Sequence, residues 1–361
     1  MQLKFGIFDT FSHAEGEMLR AAELYDEHLE DARLADRLGY AYFFFIEHQN
    51  AGFPCVSAPT VYLSALAQAT RQLRIGAMVF QMPLHHPVRL AQDTALIDQL
   101  SHGRFDFAIG YGTRIGEFAP WDMQFKERRE RGLEAMEVVL KAWTEEKFSH
   151  DGKYWRLKDA LPQPRPFQRP HPPVWVGGHS EASFDYAAAS NFNLAQNIDV
   201  ERRASEKFAY FREAWRKHNH PGPMPQLMLV RHVHVAETDA QARAEAERWM
   251  LDGLIGLDGV KRAKSLRVEE ATPQMLETAR VYLKTAESYD FWLDEGLAFI
   301  GSPETVARDI AAQQQRMGYD VLLTQHNIGN MPHALAHRSI QLFGERVIPA
   351  FTTTSEHAPA G

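Results

Sequence analysis

Short runs of apolar residues alternate along this chain with longer segments whose apolar residues have helical spacing. The clearest run, from Tyr42 to Ile46, ends on the polar residues Glu47, His48 and Gln49. A continuous apolar run predicts a strand buried on both faces, as in a parallel sheet. Since ligands collect at the carboxyl ends of parallel strands, we expect Glu47 and His48 at a functional edge. The alternative is that both side chains only cap the strand by hydrogen-bonding a loop.

Eight segments have this strand character, and each is followed by a helical segment. The predicted strands are Leu3–Phe8, Ala41–Ile46, Leu73–Val79, Phe105–Gly110, Val174–Val176, Asn193–Gln196, Gln226–Val235 and Asp320–Gln325. The predicted helices that pack beside them include Glu23–Leu38, Pro59–Thr70, Pro87–Leu100, Lys126–Glu146, Ser180–Ala189, Arg202–His218, Ala240–Leu254 and Pro332–Arg346. This alternation predicts an α/β protein, a (β/α)8 TIM barrel.

The alternation stops after the seventh predicted strand. Residues 255–296 carry one helical piece, Pro273–Ala286, in otherwise mixed and charged sequence, and Ser302-Pro303 then begins a new helix. An insertion at the functional end of a barrel often serves as a lid; a peripheral or oligomer-contact excursion is the alternative. We expect one domain over residues 1–351 that contains this insertion, followed by a disordered tail at 352–361.

Charge and cysteine content exclude several partners. The 361 residues carry a net charge of −8 and no long basic block, so we expect no nucleic-acid partner. No apolar run approaches the ~18 residues of a membrane span, and no charged leader precedes an apolar stretch, so we expect a cytoplasmic protein. The single cysteine, Cys55, suits a reducing compartment; a small buried residue is the favoured interpretation over a nucleophile.

In a barrel, the residues that follow the strands would meet at one mouth. They are Asp9, Thr10, Glu47, His48, Gln81, Met82, Tyr111, Gly177 through Ser180, Asn197, Gln325, His326 and Asn327. Among them, Gly177-Gly178 lets a ligand approach the backbone, and the helix that follows can bind an anion, most simply a phosphate, through its amides and the hydroxyls of Ser180 and Ser183. An ordinary tight turn with a serine N-cap is the alternative.

Two other polar groups predict less. One of Arg128, Arg129 and Arg131 could reach a phosphate, while at least two of them belong to a solvated ion-pair face. His85 and His86 do not predict a metal site, because adjacent residues cannot easily share one ion and no metal-binding helix motif is present. We therefore expect no metal.

The chain resembles the bacterial luciferase-like, flavin-dependent monooxygenases over nearly its whole length. The resemblance is carried by blocks at residues 38–48, 73–89, 100–112, 173–178 and 300–306, which include Glu47-His48, Leu100-Ser101-His102-Gly103-Arg104 and Val176-Gly177-Gly178. It implies a (β/α)8 barrel with FMN at the carboxyl ends of the strands.

The resemblance also implies roles for individual residues. His48 falls on the active-site histidine of the luciferase pattern, Glu47 on the acid before it, and Met78-Val79 on a non-prolyl cis peptide near the flavin. The positions that match phosphate and ribityl binding are Arg131, Gly177, Gly178, His179, Ser180 and Ser183.

Two residues depart from the luciferase pattern. Tyr111 stands in place of a phosphate-binding arginine, so phosphate binding is weaker or differently built. Gly110 stands in place of a cysteine near the flavin, so the resemblance implies a roomier pocket there. Both departures argue against light emission.

The implied reaction uses reduced FMN, supplied by a separate flavin reductase, and O2 to oxygenate a small organic substrate. Phe8, Phe11, Phe53, Phe80 and Met82 near the expected mouth favour a largely apolar substrate of aldehyde, ketone, terpenoid or alkane type. A homodimer is a further family expectation. Two alternatives remain: hydride transfer with a deazaflavin, and a non-catalytic flavin-binding relative.

Overall fold

The computed structural model describes residues 2–11, 21–50, 55–197, 199–254, 263–264, 273–329 and 331–352. Its strands are β1 Lys4–Asp9, β2 Tyr42–Phe45, β3 Arg74–Ala77, β4 Phe80–Gln81, β5 Phe107–Gly110, β6 Phe148–Asp151, β7 Arg156–Ala160, β8 Val174–Gly177, β9 Asn193–Gln196, β10 Leu227–Val235, β11 Ala298–Gly301 and β12 Val321–Gln325. Its α-helices are α1 Ala21–Arg37, α2 Pro59–Ala69, α3 Pro87–Leu100, α4 Arg128–Thr144, α5 Glu181–Ala189, α6 Glu201–Arg216, α7 Asp239–Leu254, α8 Pro273–Glu287, α9 Tyr289–Asp294, α10 Pro303–Met317, α11 His333–Leu342 and α12 Ile348–Thr352.

Each of the eight predicted strands is present, within a few residues of its predicted bounds. The chain divides into two compact units: residues 1–40, 196–210 and 226–361 form unit 1, and residues 41–195 and 211–225 form unit 2. Two stretches of the predicted insertion, 255–262 and 265–272, lie outside the described residues, as does the tail 353–361. The lid and the single domain therefore stay predictions.

Unit 1 is built on parallel strands around the long strand β10. The first half of β10 pairs with β12, which pairs in turn with β1, and its second half pairs with β11. Every residue of β10 is buried, as a strand covered on both faces requires. The sequence prediction missed β11, because its four residues directly follow the irregular insertion. Helix α10 begins as predicted: the Ser302 hydroxyl accepts from the Thr305 amide.

Unit 2 contains the parallel pair β2–β3 and the parallel series β4–β5–β8–β9. The peptide between Met78 and Val79, which separates β3 from β4, is cis, as the resemblance implies. A second small sheet, the antiparallel hairpin β6–β7, follows α4 and was not predicted. Glu134 of α4 fixes it, since its carboxylate accepts from the amides of Tyr154 and Trp155 at 2.9–3.1 Å.

Candidate active site

The Glu47 side chain is completely buried at the end of β2 and forms hydrogen bonds with three residues. Its carboxylate accepts from the backbone N–H of Gln81 at 3.0 Å and from Gln49 Nε2 at 3.0 Å, and both of its oxygens lie within 3.0 Å of His85 Nε2. Burial opposes protonation of His85, but the Glu47 charge and the hydrogen bond outweigh it and raise the His85 pKa. Glu47 therefore ties the end of β2 to the start of the segment after β3.

His48 pairs with an acid that is distant in sequence. Its Nδ1 lies 2.7 Å from Oε1 of Glu117, in the 3-10 turn Ile115–Glu117 that follows β5. The Glu117 side chain is 4% exposed and that of His48 20% exposed, so the carboxylate is shielded while the imidazole meets solvent. Because a carboxylate only accepts, this pairing puts a hydrogen on Nδ1, so the neutral imidazole carries its lone pair on Nε2. The His48 main chain is held as well, since its amide donates to the Val56 carbonyl at 3.2 Å.

Val79 packs against the backbone at the ends of β5 and β8. A Cβ added to Gly177 would lie 2.6 Å from Val79 Cγ1, and one added to Gly110 would collide with Val79 Cγ2. Glycine is therefore required at both positions for this packing. The expectation that Gly110 makes the pocket roomier is wrong, because the valine side chain fills the space that a larger residue would occupy.

The predicted anion cradle lies at the first turn of α5. Ser180 is the N-cap residue, but its hydroxyl makes no capping bond and lies 3.1 Å from the hydroxyl of Ser183. A Cβ on Gly178 would come within 2.5 Å of Ser183 Cβ, so only glycine lets the chain pass this close to the helix. Ser183 is buried, whereas His179 and Ser180 are exposed. The turn thus presents a serine pair at the positive end of a nine-residue helix.

Helix α4 begins beside this turn, and its arginines take different partners. Arg129 donates from Nη2 to the Ala182 carbonyl at 3.0 Å, which places it at the first turn of α5. Arg128 donates to the carbonyls of Gly112 and Phe125. Arg131 is the arginine that the resemblance favours, and its Cζ lies 4.8 Å from the centroid of the Trp155 ring. The structure therefore places Arg129 in direct contact with the first turn of α5, a contact that the sequence could not assign to one of the three arginines.

Two buried polar atoms near these arginines have no hydrogen-bond partner in the described part of the chain: the Tyr111 hydroxyl and Arg131 Nε. The Tyr111 ring packs against Gly132 of α4, where a Cβ would lie 2.5 Å from its Cδ1. Burial raises the Tyr111 pKa well above its usual value, so the hydroxyl stays a neutral donor. Buried donors without partners are rare in folded proteins and indicate a missing acceptor.

Strand-end residues of unit 1 form a separate network. Asp9 lies 2.7 Å from His28 Nδ1 and accepts from Asn327 Nδ2 at 2.9 Å, and Gln325 donates to Thr10 at 3.0 Å. These contacts confirm that the ends of β1 and β12 lie together.

His326 was expected at the mouth of the barrel, and this prediction is wrong. Its side chain is buried between Thr324 and Ser339, with ring nitrogens 2.9 and 2.8 Å from their hydroxyls. Burial lowers its pKa to about 3. The side chain therefore fills the layer between β12 and α11 as a neutral imidazole.

The apolar residues expected at the mouth are core residues. Phe11, Phe80 and Met82 are fully buried and Phe8 nearly so, while Phe53 lies outside the described residues. Cys55 is half-buried, its Sγ lies 3.4 Å from the His48 carbonyl, and burial raises its pKa to about 11. A thiol with so high a pKa is a poor nucleophile at neutral pH, which agrees with the sequence interpretation.

A family model described as luciferase-like monooxygenase matches residues 3–320. The chain belongs to this family. Among its relatives, the oxygenase component of a flavin-dependent trigonelline monooxygenase from Acinetobacter baylyi is 28% identical over 63% of this chain and 64% of its own length. Limonene 1,2-monooxygenase from Rhodococcus erythropolis is 26% identical over 90% of this chain and 80% of its own length.

Several solved structures share the fold. Monooxygenase RslO1 from Streptomyces bottropensis has a TM-score of 0.80 at 25% identity, over 97% of this chain and 100% of that one. A second structure, solved with FMN, is the oxygenating constituent of 3,6-diketocamphane monooxygenase from Pseudomonas putida. It has a TM-score of 0.78 at 22% identity, over 97% of this chain and 99% of that one. An F420-dependent secondary alcohol dehydrogenase has a TM-score of 0.72 at 17% identity, over 97% of this chain and 99% of that one.

These comparisons confirm the luciferase-like (β/α)8 barrel and an enzyme, a flavin-dependent monooxygenase. No helix in the described ranges is long and apolar enough to cross a membrane. Two features of the site escaped sequence reasoning. Glu117 is 69 residues from His48, and its only signal is an acid in the loop after the fourth predicted strand. Arg129 is one of three similar arginines in a row of charges.

Proposed function

We propose that this luciferase-like enzyme uses reduced FMN and O2 to oxygenate a small, largely apolar organic substrate. The observation that carries the proposal is that one compact unit holds a histidine paired with a buried carboxylate and, at the first turn of α5, a serine pair, together with two buried donors that lack a partner in the described chain. The first suits proton exchange, and the second suits the phosphate of a flavin mononucleotide.

The cradle residues fit a phosphate group by their chemistry. Tyr111 offers a neutral buried donor, the Ser180–Ser183 pair offers two hydroxyls, and Arg129 and Arg131 supply positive charge beside the helix end. An incoming phosphate would provide the acceptor that the Tyr111 hydroxyl and Arg131 Nε lack in the described chain. The exposed His179, next to Ser180, would lie on the solvent side of the group.

The ring system of the flavin would lie toward Met78 and Val79, where the ends of β5 and β8 are glycines. Reduced flavin supplies the electrons with which one atom of O2 enters the substrate and the other leaves in water. The protein has to orient the ring and exclude water. Val79 contributes an apolar surface, held rigidly because it fills the space beside Gly110 and Gly177.

His48 would donate or accept a proton at Nε2 next to the reacting atoms. Glu117 would hold the imidazole in one tautomer and orientation through the 2.7 Å contact to Nδ1. We assign Glu47, which was expected beside His48 in the catalytic site, to that site as a positioning group, because its carboxylate oxygens are hydrogen-bonded by Gln81, Gln49 and His85. Removing Glu47 would release the chain on which His48 stands.

The substrate and partners follow from several observations. Limonene 1,2-monooxygenase, a relative across 90% of the chain, supports a largely apolar substrate of terpenoid type. A relative named as an oxygenase component supports a separate flavin reductase as partner. We extend the proposal to the homodimer that the resemblance implies, with Val61 of α2 and Leu96 of α3, which are 71% and 49% exposed, in its contact. The single cysteine supports a reducing, cytoplasmic location.

The test is an anaerobic titration with reduced FMN, and in parallel with a reduced deazaflavin, followed by mixing with O2 and a panel of terpenes, ketones and aldehydes. We expect one reduced FMN per chain, and a product that carries one atom from isotopically labelled O2. Tight deazaflavin binding with substrate reduction or oxidation but no oxygen uptake would replace the proposal by hydride transfer. Binding of reduced FMN with no product and no faster oxygen consumption would indicate a non-catalytic flavin-binding protein.

A further inference from the structure

We propose that Asp31, His333 and His337 form a binding site for one divalent transition-metal ion, with Zn²⁺ the best fit. All three residues belong to unit 1 and lie outside the flavin site. The proposal is therefore independent of the proposed function.

The site is formed by two helices. His333 and His337 are four residues apart on α11, which places both imidazoles on one helix face. Asp31 faces them from α1: its Oδ1 lies 3.1 Å from His333 Nε2 and 2.6 Å from His337 Nδ1. One potential ligand atom from each residue lies within 4.8 Å of the other two. Two imidazoles and a carboxylate thus converge on one point.

The separations are close to those of a tetrahedral zinc site. Zinc binds imidazole nitrogen at about 2.0–2.1 Å and carboxylate oxygen at about 2.0–2.2 Å, which puts neighbouring ligand atoms about 3.3 Å apart. The Asp31–His333 distance is already near this value, and the Asp31–His337 distance must open by less than about 1 Å. A water molecule would supply the fourth ligand.

Burial and charge favour a cation at this point. The Asp31 side chain is 7% exposed, whereas those of His333 and His337 are 28% and 31% exposed, so an ion can enter between the imidazoles from solvent. Asp31 supplies the one carboxylate of the cluster, and its Oδ1 lies within 3.1 Å of a ring nitrogen of each histidine.

The ligand types select the class of ion. Imidazole and carboxylate suit Zn²⁺ and its neighbours Co²⁺ and Ni²⁺, while Ca²⁺ and Mg²⁺ require mostly oxygen ligands. Because the ligands come from α1 and α11, a bound ion would link the two helices and stabilise unit 1.

The test uses the full-length protein after removal of metals with a chelator. We expect calorimetry to give one tight Zn²⁺ per chain, Co²⁺ to give the visible absorption of a distorted tetrahedral site, and the melting temperature to rise with Zn²⁺. Asp31→Asn and His337→Gln should each weaken binding at least about 10-fold. His337 is partly exposed, so its variant should fold even if replacement of the buried Asp31 does not.

His218→Gln is the matched control. His218 and His220 stack with ring centroids 5.7 Å apart, and His220 Nε2 donates to the Ala188 carbonyl at 2.7 Å. The pair therefore offers two neighbouring histidines without the buried aspartate. The control should bind Zn²⁺ as the wild type does. Equal affinity in wild type and His337→Gln, or no stoichiometric binding at neutral pH, would overturn the proposal.

Discussion

Replacing Glu117 by Gln tests the carboxylate–histidine pair with little change in shape. Glu117 Oε1 lies 2.7 Å from His48 Nδ1, and the side chain is 4% exposed. A hydrogen bond to a charged group contributes about 1.5–3 kcal/mol, and desolvation places this pair within that range. Since about 1.4 kcal/mol is a factor of ten, we expect kcat to fall about 10- to 100-fold.

The physical reason for this loss is the tautomer of His48. The glutamine amide can donate to Nδ1, which would move the hydrogen to Nε2 and leave that nitrogen without the lone pair with which it accepts a proton from the reacting atoms. The assay is product formation from reduced FMN, O2 and substrate, together with the fraction of O2 released as hydrogen peroxide. Affinity for reduced FMN should be unchanged, because Glu117 has no contact with the α5 turn among its described hydrogen bonds.

A double variant separates this role from a structural one. If Glu117 acts through the imidazole, Glu117→Gln should cost almost nothing in a His48→Ala background. A folded Glu117→Gln protein with wild-type turnover and coupling would refute the reasoning, as would fully additive losses in the double variant.

Three further predictions follow from the packing and charges of unit 2. Gly177→Ala should lower the free energy of unfolding by about 1–3 kcal/mol in a denaturant titration, because its Cβ would lie 2.6 Å from Val79; an unchanged midpoint would contradict the packing. Tyr111→Phe should leave the apoprotein as stable or more stable, since it removes a buried hydroxyl that lacks a partner in the described chain, yet weaken reduced-FMN binding about 10-fold; unchanged affinity would exclude the phosphate role. His85→Gln should lower the free energy of unfolding most below about pH 6.5, because protonated His85 stabilises the folded state through Glu47 and this stabilisation is lost as pH rises through the raised pKa. A destabilisation that instead grows with pH would show that the charge of Glu47 does not hold His85 protonated.

The sequence predicted the fold where local pattern and burial agree. The apolar run before Glu47 and the fully buried β10 have few alternatives to a strand between two layers. The helix that begins after Ser302 carries its own start and stop signals, a capping serine and a left-handed Gly318. The hairpin β6–β7 had no such signals, because a contact with Glu134 of α4 fixes it.

The sequence predicted only those candidate site residues that follow a strand or a pair of glycines. His48 and Ser180 lie at recognisable positions, but the pairing of His48 with Glu117 depends on how two loops meet in space. The metal site was missed for the same reason. Asp31 lies 302 residues before His333, and two histidines four apart on a helix predict a site only when their partner is known.

A crystal structure of the protein with FMN tests the central claim most directly. The account predicts the phosphate within hydrogen-bonding distance of the Tyr111 hydroxyl and the Ser180–Ser183 pair, with the ring against Val79 and facing His48. A phosphate bound away from the α5 turn, or a ring that leaves Val79 and His48 without contact, would contradict it.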